Sequence, residues 1–190
     1  MLRTLLLSAP LVVAASLAHA VDAPPAMKAF VDSEVMGWAQ DAQVIDAINA
    51  QNTQTAGASA AQIEEWDTQW RGEVGADSQP LISDVMGRPL SVFLGEQVAA
   101  SGGRITEIFV MDAMGLNVAA SDVTSDYWQG DEDKHAKTYG VGAGAVFVDE
   151  VEFDESTQSY QGQVSVALTD PATGEVIGAM TIGLNAEAFF

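Results

Sequence analysis

The spacing of apolar residues changes once along this chain, at Gly102-Gly103, and that change limits the folds open to it. Before the two glycines the apolar residues recur at steps of three and four. After them they alternate with polar or small residues. A run of helices followed by a run of strands predicts an α+β domain whose antiparallel sheet is covered by helices on one face.

The first run opens with Met27 to Asn52, where Val31, Val35, Trp38, Ala42 and Ile45 form one stripe and predict a single long helix. Val44 and Met36 lie outside that stripe. Thr53–Ala58 is a polar break. Ser59-Ala-Ala-Gln62 has the capping-box pattern and starts a second helix with Ile63, Trp66 and Trp70 on one face. Gly72–Asp84 is predicted as loop. Pro89 can open a third helix, which Gly102-Gly103 stops.

In the second run, Arg104–Asp112 and Leu116–Asp122 pair as a hairpin across Ala113-Met114-Gly115. Asp131–Tyr139 can form a short helix, broken by glycines at 140, 142 and 144. Val146–Phe153, Tyr160–Thr169 and Val176–Leu184 are three more strands, with turns at Asp154–Ser159 and Asp170–Gly174. Val164, Val166 and Leu168 point one way and Gln163, Ser165 and Ala167 the other. Met180, Ile182 and Leu184 likewise oppose Ala179, Thr181 and Gly183. The greasy face should meet the long helix. The small, polar face is either solvated or the floor of a pocket under the insertion 122–144.

Residues 1–20 form a separate segment. Arg3, the apolar run LLLSAPLVVAASLA and the Ala18-His19-Ala20 cleavage pattern are those of a secretory signal peptide, expected to be cut before Val21. The expected organisation is therefore a signal peptide at 1–20 and one domain at 21–190. That domain has a helical part at 21–103 and a sheet at 104–190 that contains the insertion. The expected location is the periplasm, with no membrane span in the mature chain. The chain has no cysteine, so disulfides, zinc–thiolate sites and cysteine nucleophiles are excluded. Seven Lys and Arg face 27 Asp and Glu; cleavage removes Arg3 and no acid, taking the net charge from −20 to −21. Such a surface repels nucleic acid and anionic lipid.

Catalytic groups are scarce. His135 is the one histidine after the signal segment, beside Asp133 and Lys134, and reads as a solvated helix position. There is no nucleophile elbow, P-loop or dinucleotide fingerprint. The many carboxylates read as solvated surface, and no metal or other cofactor is expected. The chain is thus expected not to be an enzyme. The segment DYWQGDEDKH stands apart, because a turn has no need of two large rings. Tyr127 and Trp128 can wall a small-molecule site, with Ser121, Gln129, Asp131 and Lys134 as polar contacts. They can equally be plugs that pack the insertion onto the sheet.

ITEIFVMDAMGLNVAASDVTSDYWQGDEDKH resembles the extracytoplasmic Cache sensor domains, also called PDC or PAS-like domains. The resemblance rests on Asp112, Gly115, Asn117-Val118-Ala119, Ser121, Thr124 and Asp126 to Glu132, with PLSVFLGEQVAASGG before it and VIGAMTIGLNAE after it. It implies a long N-terminal helix on a five- to six-stranded antiparallel sheet, with a pocket under the insertion. It further implies a non-catalytic binding or sensor module for a small polar metabolite: a carboxylate, an amino acid or an amine. Signalling would run through a membrane partner, namely a sensor kinase, receptor or transporter. The chain ends at Phe190, directly after the last strand, so the form it resembles is a free-standing single Cache protein. The ligand-binding residues expected are Ser121, Tyr127, Trp128, Gln129, Asp131, Lys134, Tyr139 and Gln163. Few cations favour a carboxylate through Lys134; the surrounding acids favour a cation equally. The alternative is a structural or interaction protein with a vestigial pocket, forming a homodimer through its N-terminal helix.

Overall fold

The computed structural model describes residues 24–154 and 159–189. Residues 1–23, which include the expected signal peptide, and most of the turn expected at Asp154–Ser159 lie outside the described residues.

The N-terminal stripe is not one continuous helix. It is α1 (Pro24–Phe30), a π-helical turn over Val31–Val35, α2 (Met36–Ala39) and then α3 (Ala42–Thr55). The break falls at Gln40-Asp41, where Asp41 takes an extended conformation at the head of α3, with φ −63° and ψ 151°. The π-turn keeps Val31, Val35 and Ala39 all facing the core, and the break then resets the phase so that Val44, Ile45 and Ile48 take over. Val44 is fully buried and Met36 packs on the same core, so neither supplies a free apolar face for a helix-mediated dimer.

Next come α4 (Ala60–Glu73), α5 (Pro80–Met86) and α6 (Pro89–Ala100). Ser59 caps α4 as its sequence suggests, its Oγ accepting the Gln62 N–H at 3.3 Å. Helix α5 corrects the expectation of loop over Gly72–Asp84. Proline starts it, and it buries Ile82 and Val85. The buried Glu73 carboxylate accepts the backbone N–H groups of Leu81 and Ile82 at 2.8 and 2.9 Å, satisfying donors that a helix start leaves open. Gly102 and Gly103 follow α6 at positive φ, where a β-carbon would be strained.

The strands are β1 (Ile105–Asp112), β2 (Asn117–Ala120), β3 (Val146–Val148), β4 (Glu152–Asp154), β5 (Ser159–Thr169) and β6 (Val176–Asn185). The single strand expected at Val146–Phe153 is two short ones, β3 and β4, both pairing with β5. The sheet is antiparallel throughout, in the order β2-β1-β6-β5-β3, with β4 beside β5. The insertion contains one helical turn, α7 (Asp133–Ala136), and a 3₁₀ turn at Ala186–Phe189 follows β6.

The core sits where the alternation puts it. Val164, Val166, Leu168, Met180, Ile182 and Leu184 meet Ile45, Ile48 and Leu94 from the helices. A separate cluster joins α4 and α5 to the β1–β2 corner through Trp70, Val85, Leu116 and Tyr127. The opposite sheet face carries Phe109, Met111, Ala120 and Ala179, and the insertion lies against it. Among the described residues, no helix is long and apolar enough to cross a membrane.

Candidate functional site

The insertion begins as an extra edge of the sheet. Asn117 N–H donates to the Tyr127 carbonyl, Gln129 N–H donates to the Gly115 carbonyl, and Leu116 bridges Trp128. Gly115 and Gly130 touch where the hairpin turn crosses this segment. Gly115 has φ +82°, and a β-carbon there would collide with the Gly130 backbone. Asn117 ties the loop inward through its side-chain amide, to Thr124 Oγ1 at 2.8 Å and the Asp126 carbonyl at 3.0 Å.

The two rings are held from the helical side. Asp67 on α4 is buried, and its Oδ1 accepts the N–H groups of both Tyr127 (2.9 Å) and Trp128 (3.0 Å). Tyr127 stacks on Trp70 with ring centroids 5.4 Å apart, while Trp70 Nε1 donates to the Thr124 carbonyl. Trp128 Nε1 donates to the Met114 carbonyl at 2.8 Å. Both rings therefore join the packing of α4 and α5 onto the hairpin. Tyr127 also borders a cavity beside Arg88. Burial holds its hydroxyl pKa above the usual tyrosine value.

The second half of the insertion crosses the other sheet face. His135, expected to be solvated, is buried; it stacks on Tyr139 with centroids 5.0 Å apart, and its Nε2 lies 3.2 Å from the Asp112 carbonyl oxygen. Burial lowers its pKa, so the ring favours the neutral form. Tyr139 packs on the cluster of Phe109, Met111, Ala120 and Ala179. The Lys134 ammonium sits 5.4 Å from the centre of the Phe109 ring, 3.2 Å from Gln129 Oε1 and 2.8 Å from a Glu132 carboxylate oxygen, with 14% of its side chain exposed. Gln129 is buried, and its amide donates to the Asp126 carbonyl. The sheet beneath is small and polar: Ser165 and Thr181 are buried and share a hydrogen bond of 2.9 Å.

Gln129 and Lys134 are therefore brought together and Tyr139 packs on the same Phe109 cluster, while Tyr127 and Trp128 pack toward α4 and α5. Ser121 closes the end of β2, its Oγ accepting the Ile108 N–H at 2.8 Å. Asp131 is exposed. Gln163 donates to Glu107 at 3.1 Å and borders a cleft of about 410 Å³ with Asp149, Glu150 and Glu152.

One buried group touches both sides of the sheet. Asp112 Oδ1 accepts the N–H groups of Met114 and Leu116, and its Oδ2 accepts from Gln51 (3.0 Å) and Thr55 (2.9 Å) on α3. Its backbone carbonyl meets His135. His135 and Phe109 were not among the residues expected to bind. A lone histidine next to Asp133 and Lys134 gives no local sign of burial, and Phe109 reads as one more strand residue.

No family model matches the chain, and no curated protein matches it by sequence. Solved sensor domains are similar to it in structure over most of its length. The sensor domain of the histidine kinase DctB of V. cholerae is 11% identical, with 88% of this chain and 53% of that one covered, at a TM-score of 0.47. The sensory domain of the Campylobacter jejuni chemoreceptor Tlp3 with isoleucine bound is 10% identical, covering 87% and 65%, at 0.40. The ligand-binding domain of the Pseudomonas aeruginosa PAO1 amino-acid chemoreceptor PctC, in complex with GABA, is 12% identical, covering 81% and 61%, at 0.38. The chain thus spans between about half and two-thirds of the length of these structures. At such identities and scores they assign no residue and no ligand to this chain.

Proposed function

We propose that this protein is a non-catalytic binding and sensor module for a small polar metabolite, held between the sheet and the second half of the insertion. One observation carries the reading. A largely buried ammonium (Lys134), a buried amide (Gln129) and a neutral imidazole stacked on a phenol (His135, Tyr139) converge over a sheet face of small and apolar residues. A few oriented polar groups against an apolar floor are how small-molecule sites are commonly built. Lys134 favours a carboxylate or the carboxylate end of an amino acid. It exchanges its internal partners, Gln129 and Glu132, for the ligand.

A ligand there would press on α7 and so on the contact between His135 and Asp112. The side chain of Asp112 is held by α3, which gives occupancy a physical route to the N-terminal helices. A sensor kinase, receptor or transporter that reads those helices would be the partner, and the exported location expected from residues 1–20 suits that role.

The test is a thermal-shift screen of carboxylates, amino acids, amines and divalent cations. A ligand at a hundred times its Kd adds about 2.7 kcal/mol, roughly 5–10 °C for a chain of this size. At least one compound is expected to give such a rise in the wild type and none in Lys134→Ala. A hit retained in full by Lys134→Ala and by Tyr139→Ala places binding elsewhere and contradicts the proposed site.

A further inference from the structure

We propose that the groove between α3 and the α5–α6 corner is a second ligand site, on the helix-bearing side of the sheet, and that it takes a small organic carboxylate on Arg88. Two cavities of about 450 and 320 Å³ meet there and share Gln51, Gln54 and Arg88. Each is large enough for a small metabolite.

Arg88 is built for the task. Its Nη1 donates to Gln51 Oε1 and to the Val118 carbonyl, both at 2.7 Å. Gln51 is itself buried and fixed by donating to the Asp112 carboxylate and the Leu116 carbonyl. One end of the guanidinium is therefore oriented by groups that cannot move freely. The other end, Nη2, meets Asp84 at 2.8 Å. Asp84 borders the same cavity, and its side chain is 66% exposed. An exposed pair of this kind adds little to stability and exchanges readily. An incoming carboxylate can replace Asp84 and use the planar fork of the guanidinium.

The rest of the groove suits an apolar body behind that carboxylate. Trp66, Leu81 and Tyr127 wall one cavity, and Ala47, Ala50 and Leu90 the other. The Tyr127 hydroxyl accepts from Arg88 and can turn its own O–H toward an incoming carboxylate. In a chain with 27 acids and seven Lys and Arg, a cation anchored by buried groups at a cavity is the feature that selects an anion.

This site does not depend on the insertion site, and the experiment separates them. Benzoate is titrated at low ionic strength against wild type, Asp84→Asn, Arg88→Gln and Lys134→Ala, with neutral benzamide as control. The Trp66 indole and Arg88 Nε resonances are followed by NMR. Benzoate should move both saturably and benzamide should not. Asp84→Asn, a surface change that leaves the fold intact, should tighten binding about two- to fivefold by removing the competing carboxylate. Arg88→Gln should abolish the Trp66 shift, and a Trp66 shift retained there would equally overturn the proposal; Lys134→Ala should leave both shifts unchanged. The proposal is also overturned by any of three results: no saturable shift in wild type at tens of millimolar benzoate, equal shifts with benzamide, or no tightening in Asp84→Asn.

Discussion

The two halves of the insertion are neighbours in sequence and differ in how they are held. Residues 122–130 are sewn into the fold. Asp67 takes two of their backbone N–H groups, Asn117 and Gly115 pair with them, and Trp70 both stacks on Tyr127 and bonds the Thr124 carbonyl. Residues 131–144 are bonded largely to one another, as in Thr138 to the Lys134 carbonyl and Lys137 to Asp133. They meet the sheet through the His135–Asp112 contact, the Tyr139 packing and the ammonium groups of Lys134 and Lys137 over the Phe109 and Phe147 rings. The half with the conspicuous aromatics anchors the insertion, and the plainer half is the one that the proposed ligand would meet. Aromatic rings in an acidic loop thus mark buried area first.

The largest effect that sharpens this contrast should come from Trp70→Ala. Trp70 is fully buried, and its loss removes the stack on Tyr127 and the bond to Thr124. Chemical denaturation should show about 3–5 kcal/mol lost. A loss under about 1 kcal/mol would mean that the first half is not anchored as described. Asp67→Ala should follow at about 2–3 kcal/mol, because two backbone donors lose their acceptor and Arg71 loses its nearest carboxylate.

In the second half, Lys134→Ala should change stability by no more than about 1 kcal/mol while removing ligand-induced stabilisation. A large loss of stability here would erase the difference between the halves. The smallest effect is a pH dependence. His135 is held neutral by burial, so its folded pKa lies below the unfolded value of about 6.5. The unfolded chain therefore binds the proton first, and stability falls as pH drops through that value before levelling off below the folded pKa. Denaturation midpoints from pH 7.5 to 5 should show this decline in wild type, and it should flatten in His135→Gln.

Much of the fold was legible in the sequence because periodicity reports burial directly. The change from helical spacing to alternation separates helices from sheet. The opposed sets on β5 and β6 take opposite faces of the sheet, the apolar one against the helices and the other carrying the Ser165–Thr181 pair. The break in the first helix was hidden because the apolar stripe runs on past Gln40-Asp41; its one local sign is Asp41, a residue type that favours the head of a helix and stands there for α3. Helix α5 was hidden by the Gly, Asp and Pro around it, and the carboxylate that starts it comes from Glu73, outside the segment. For the candidate site, Gln129, Lys134 and Tyr139 were readable as polar groups on the insertion. The posting of Tyr127 and Trp128 was not, because Asp67 holds them from 60 and 61 residues upstream.

Amide hydrogen exchange on the full protein, with and without a compound that scores in the thermal screen, tests the central claim most directly. Residues 122–130 should exchange near the rate of the sheet in both states. Residues 131–144 should open at lower free energy when free and gain protection when the compound is bound. Equal protection of the two halves in the free protein, or a gain confined to another part of the chain, would contradict the account.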